Sequence, residues 1–181
     1  MNAKTLSLAF LNYALFALLI LVFTGFQTSL WMYVMGYFPS PQFWLSILVF
    51  WSIYRSPKES LIMAYLISLL VAPFSAIPLK TLLMVHFCLF FLIFFIRHRI
   101  YWEGVTFMMF LTFWICLAFP FIHFLMSFIL EPSPLHKIEF FDWTLRAILT
   151  TLLTPPLFYL YVFIDRMTKK RWPTEARSQA L

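Results

Sequence analysis

Four side chains raise the first chemical question. Lys80, His86, His123 and Arg146 are ionisable, and each lies inside or at the edge of a long apolar run. A charge at membrane depth is costly, so such groups are functional candidates by default. Helical rise places His86 about 9 Å and His123 about 10 Å from the same end of their runs. Two imidazoles at one depth can ligate a haem iron, and a polar pair can hold a small anion. The plainest reading gives each a single interhelical hydrogen bond. Zinc is disfavoured, because it takes four protein ligands, or three and a water. Arg146 follows Asp142 by four residues, a spacing that suits an ion pair on one helix face and lets the arginine snorkel to the interface.

Other chemistry is missing from the pattern. There is no Ser/His/Asp set, no HExxH, no pair of intramembrane aspartates and no phosphate-cradling glycine loop. The acids Glu59, Glu103, Glu131, Glu139, Asp142, Asp165 and Glu175 all read as loop or span-end residues. An intramembrane hydrolase or a proton-coupled carrier calls for a buried acid or nucleophile. The expectation is a non-enzymatic protein without cofactor or catalytic metal. Cys88 and Cys116 fall inside apolar runs and read as small buried residues, not as a disulfide. No basic stripe interleaved with glycines and aromatics is present, which argues against a nucleic-acid partner.

The elements that position these residues follow from composition. The chain is 63% hydrophobic, 22% aromatic and 11% charged, against roughly half apolar and a quarter charged in a soluble domain. Lipid must be the solvent for most of it, and the expected class is an all-α integral membrane bundle of six transmembrane helices. The first apolar run is too long for a secretory signal core and has no small-x-small cleavage site, so it reads as a retained span over 6–23. Residues 24–37 are dense in Trp, Tyr and Met and read as an interfacial connector.

The second run, FPSPQFWLSILVFWSIYR, is short. Residues 42–54 as a helix reach only about 20 Å, short of the roughly 30 Å hydrocarbon layer. Starting the helix near Tyr37, with Pro39 and Pro41 in its first turn, lengthens it enough to cross. Spans three to six are expected over 60–77, 80–96, 104–130 and 143–164. Pro73 and Pro78 should loosen the third near Ala72. Pro155-Pro156 should kink the sixth, with Thr150, Thr151 and Thr154 as donors for the freed carbonyls. With few glycines, packing must rest on Ala64, Ser68, Ala72, Thr150 and Thr151 and on many phenylalanines, most of which should face lipid.

With both termini on one side, that side collects ten basic residues: Lys4, Arg55, Lys58, Arg97, Arg99, Arg166, Lys169, Lys170, Arg171 and Arg177. The other holds three, Lys80, Lys137 and Arg146. By the positive-inside rule both termini are cytoplasmic. The domain division is a six-span unit over 1–168 and a basic cytoplasmic tail over 169–181, a topology anchor or a contact for anionic lipid.

The layout resembles the bacterial rod shape-determining MreD family over most of its length. The resemblance runs through the aromatic connector, the proline turn into Pro41-x-x-Trp44, and the run LSILVFW. It continues through the basic turn, Lys80 opening span four, the Tyr101-Trp102 loop, and TTLLTPPLFYLYVFIDR with its prolines and basic end. One departure stands out. The family usually has glycines and an acid through span three, where this chain reads LIMAYLISLLVAPFSAIPL. The resemblance implies a fold similar to the substrate-binding subunits of energy-coupling-factor transporters. It also implies a scaffold in the inner membrane that pairs with a single-span MreC-like protein. That scaffold serves the cell-wall elongation complex, with MreB, a glycosyltransferase and a transpeptidase, and so supports rod shape. The alternative is a vitamin-type, small-solute binding subunit of a transporter. Trp31, Tyr33, Tyr37, Pro41 and Trp44 are the expected part of the partner surface, because they cluster large aromatic side chains.

Overall fold

In a computed structural model, residues 3–100, 104–132 and 140–170 are described, and all regular structure among them is helical. The Tyr101-Trp102 loop, Lys137 and the tail from Arg171 onward lie outside the described residues. Among the described residues five helices are long and apolar enough to cross a membrane, which makes this a multi-pass membrane bundle.

Helix α1 (Ala3–Gly25) passes through one π-helical turn, Phe26–Leu30, directly into α2 (Trp31–Met35). The connector expected over 24–37 is therefore helical as far as Met35. Nothing before Gly36 stops it: there is no proline and no charge, and Gly36 ends it at φ 61°, a conformation that side chains disfavour. The wide turn loosens the backbone ladder, and hydroxyls compensate. Thr24 donates to the Ile20 carbonyl at 2.7 Å and Thr28 to the Thr24 carbonyl at 2.9 Å. The apolar stretch Ser7–Met35 has 29 residues, about 43 Å of helix, longer than the roughly 30 Å hydrocarbon layer.

Helix α3 covers only Phe43–Tyr54, 12 residues, so the expected start near Tyr37 is wrong. Pro39 and Pro41 each push the preceding residue out of the α region, and they precede the helix instead of opening it. Every residue of α3 is buried. The extended lead-in is held at both ends. Trp31 Nε1 donates to the Phe38 carbonyl at 2.9 Å, and the Gln42 amide donates to Thr150 Oγ1 at 2.8 Å.

The remaining helices are α4 (Pro57–Val71), α5 (Leu79–Arg99), α6 (Val105–Leu130) and α7 (Phe140–Met167). At the α3–α4 corner Arg55 is extended, Ser56 caps the Glu59 amide, and Pro57 opens the next helix, a proline-first helix start. The expected loosening near Ala72 is present as a 3-10 turn over Ala72–Phe74, but the helix expected over 60–77 already stops at Val71. α7 continues helically through Pro155-Pro156. Thr150, Thr151 and Thr154 donate to the carbonyls of Arg146, Ala147 and Thr150 at 2.7, 2.8 and 2.9 Å, not to those of Thr151 and Leu152 that the prolines free.

The short α3 forms the axis of the bundle, in contact with α1, α4, α5, α6 and α7. Contacts fix the directions. Ser40 meets Arg146, Gln42 meets Thr150, Ser46 meets Tyr161 and Arg55 meets Asp165. Residues 40–55 thus run parallel to the stretch of α7 between Arg146 and Asp165, about 28 Å by helical rise. α1 runs the opposite way, with Phe23 against Phe43 and Tyr13 against Trp51. Its early residue Asn12 reaches Asp165 near the end of α7, so the first and last helices begin and finish at the same end of the bundle.

Phenylalanine serves both surfaces. Phe10, Phe91, Phe95 and Phe128 point outward, whereas Phe16, Phe50, Phe107 and Phe119 are buried. Phe16, Phe50 and Tyr161 form a mutual set of ring contacts at 5.1 to 6.0 Å. Such rings fill space through dispersion, because apolar burial from lipid brings no hydrophobic gain between helices.

Candidate functional site

At the bundle end that holds the start of α5 and the last turn of α6, the four sequence candidates do not form one site. His86 is buried, and its Nδ1 pairs with Ser68 Oγ on α4 at 2.6 Å. Its Nε2 has no hydrogen-bond partner. Trp44 stands edge-on to it at 4.9 Å. The Trp44 indole then meets Phe119 at 5.1 Å, and Phe119 stacks on His123 at 5.9 Å. Two aromatic side chains thus link the histidines, and no group of three metal-ligating residues occurs among the described ones. Lys80 is exposed. Both Lys80 and His123 lie within electrostatic reach of Glu131, which accepts a 2.8 Å hydrogen bond from Ser127. Arg146 works elsewhere: it donates to Ser40 Oγ at 3.3 Å and its guanidinium lies 5.5 Å from the Trp143 ring. Cys116 is buried, Cys88 is partly so, and both are free thiols.

The opposite end holds what the sequence reading missed. Arg55 and Asp165, taken as a loop cation and a span-end acid, are fully buried and form an ion pair. Asn12 completes the set from α1: its Nδ2 donates to Asp165 at 3.0 Å and to Thr168 Oγ1 at 2.8 Å, and its Oδ1 accepts from Arg55 at 3.4 Å. Three elements far apart in the chain are pinned at one point. Beside them Arg97 donates to the carbonyls of Ser52 and Arg55, both at 3.0 Å, which satisfies backbone groups at the end of α3. Lys170 pairs with Glu59, clamping the end of α7 to the start of α4. Burial pulls the Arg55 pKa below its ordinary value, while the Asp165 and Glu59 carboxylates act in the opposite direction. The signal in the sequence was only a charged residue adjoining each of two apolar runs, 110 positions apart.

The expected partner surface is also revised. Trp31, Pro41 and Trp44 are buried and unavailable to another protein. Tyr33 and Tyr37 are open, at 89% and 106% relative exposure. With Leu30, Met32, Val34 and Phe38 they make the end of the first long helix apolar and exposed.

No protein-family model matches the chain, and neither does any curated protein or any solved structure.

Proposed function

We propose that this protein is a non-enzymatic membrane scaffold that docks another protein's transmembrane segment. On the likeness in span layout described above, the reading is a MreD-type subunit of a cell-wall elongation complex, with a MreC-like single-span partner in a bacterial inner membrane. Both termini are cytoplasmic in this reading, since the end carrying Arg55, Arg97 and Lys170 has the positive-inside excess. The observation that carries it is the filled interior. α3 and its ring neighbours occupy the bundle axis, so recognition is left to the outer face, where Tyr33, Tyr37 and Phe38 stand open. Co-expression with a tagged MreC-like protein and purification in mild detergent tests it. Stoichiometric co-purification, lost in a Tyr33→Ala/Tyr37→Ala variant, is the expected result; a chain that elutes alone from the cognate partner overturns the reading.

A second reading, a small-solute binding subunit of a transporter, is favoured by one observation. The buried Nε2 of His86 has no partner, as a ligand-facing group would. Replacing His86 and His123 by alanine and following solute uptake separates the two. The scaffold reading expects uptake and growth at wild-type levels with normal protein abundance, whereas a collapse of uptake alone selects the carrier.

A further inference from the structure

Among the described residues, four buried polar atoms without a hydrogen-bond partner belong to the last turn of α3 and the residue after it: Trp51 Nε1, Ser52 Oγ, and Nε and Nη1 of Arg55. Trp51 belongs to the last turn of α3 and Arg55 follows the helix in extended conformation, with its guanidinium carbon 5.0 Å from the indole centroid. The third guanidinium nitrogen, Nη2, is committed to Asp165 and Asn12. What remains beside the indole is three nitrogens that only donate: Trp51 Nε1 and Nε and Nη1 of Arg55. A buried donor without an acceptor is unfavourable, so the missing group is one rich in acceptors.

The surroundings narrow its chemistry. Arg97, Arg166, Lys58 and Lys170 belong to the same end of the bundle, and the nearest competing carboxylates, Asp165 and Glu59, already hold cations. Basic pockets between transmembrane helices take anionic headgroups, and guanidinium N–H groups are strong donors to phosphate oxygens. Tyr13 supplies the approach. Its ring covers Trp51 at a centroid distance of 4.8 Å, is itself only half-buried, and lies within electrostatic reach of Arg55 and Glu59.

We propose that Arg55 and Trp51 form a binding site for one phosphate-type oxyanion, carried by an anionic lipid headgroup or free in solution, which enters past Tyr13 between α1 and α4. The site is independent of the docking partner and stands or falls without it.

The full chain is purified in detergent, and thermal unfolding is followed while phosphatidylglycerol, phosphatidylcholine or inorganic phosphate is titrated in. Phosphatidylglycerol is expected to raise Tm in a saturable way and phosphatidylcholine is not. A matching rise with inorganic phosphate identifies the free anion as sufficient; a rise with phosphatidylglycerol alone identifies the lipid. Trp51→Phe keeps a ring and removes the indole donor, and should weaken the anion by about tenfold. Lys80→Gln, at an exposed cation on the opposite end of the bundle, should not. If Trp51→Phe fails to fold, Arg55→Lys, which keeps a charge for Asp165 and removes the two unpartnered guanidinium nitrogens, is read in its place. No anion-specific rise in Tm, or an unchanged affinity in these variants, overturns the site and leaves water as the acceptor.

Discussion

Replacing Asp165 with alanine is expected to destabilise the protein by about 3–5 kcal/mol, the largest single effect of any polar substitution in the bundle. Arg55 has no exposed surface, so removal of the carboxylate leaves a buried guanidinium whose nearest acceptor is Asn12 Oδ1 at 3.4 Å. The cost arises from the stranded charge, not from a large intrinsic strength of the pair. Converting both members together, Arg55→Met with Asp165→Leu, should therefore recover most of the loss or exceed wild type. Titration of the purified protein with sodium dodecyl sulfate in mixed micelles, read by tryptophan fluorescence, gives both numbers. A loss below about 1 kcal/mol for Asp165→Ala is the value of a solvent-exposed pair and would mean that water reaches Arg55.

Phe50→Ala is expected to cost about 3–5 kcal/mol, and Phe91→Ala less than about 0.5 kcal/mol. The chemistry of the two changes is identical, and only position differs. Phe50 is completely enclosed and contacts Phe16, Tyr54, Phe158 and Tyr161 through its ring. Truncation there opens a cavity that rigid neighbours cannot close. Phe91 faces outward at 62% exposure, where lipid chains fill the space. The same titration measures both variants, and equal losses would contradict the placement of α3 at the axis.

The difference between these two phenylalanines was invisible in the sequence. Both sit in near-continuous apolar runs, and when lipid is the solvent the outward and inward faces of a helix have the same polarity. Length and apolarity did locate α5, α6 and α7, whose ends fell within three residues of the expected ones. Pro73 marked where α4 loosens into a 3-10 turn, but the span expected to run to Ile77 overran the helix, which stops at Val71. The proline turn before α3 was misread, because a proline inside the first turn and a proline just ahead of it look alike until the backbone is placed. The first helix was drawn too short because aromatic density resembles an interface, while helix termination needs a glycine or proline, here Gly36. The Arg55–Asp165–Asn12 set was illegible for a different reason. Its members are brought together only by the packing of three helices, and each alone has the address of an ordinary loop or terminal residue.

The enclosure of α3 has a consequence for biosynthesis. At 12 residues it is shorter than the roughly 20 apolar residues that a span needs to settle independently in lipid. α4 follows it at once, and three more of the helices that wrap it, α5, α6 and α7, are made later still. While the ribosome is still producing them, the nascent segment has its apolar sides covered only by α1 and α4, and Arg55 lacks Asp165 altogether. Among the described helices, the final neighbour arrives when α7 leaves the translocon, so α7 is the one that locks α3 in place.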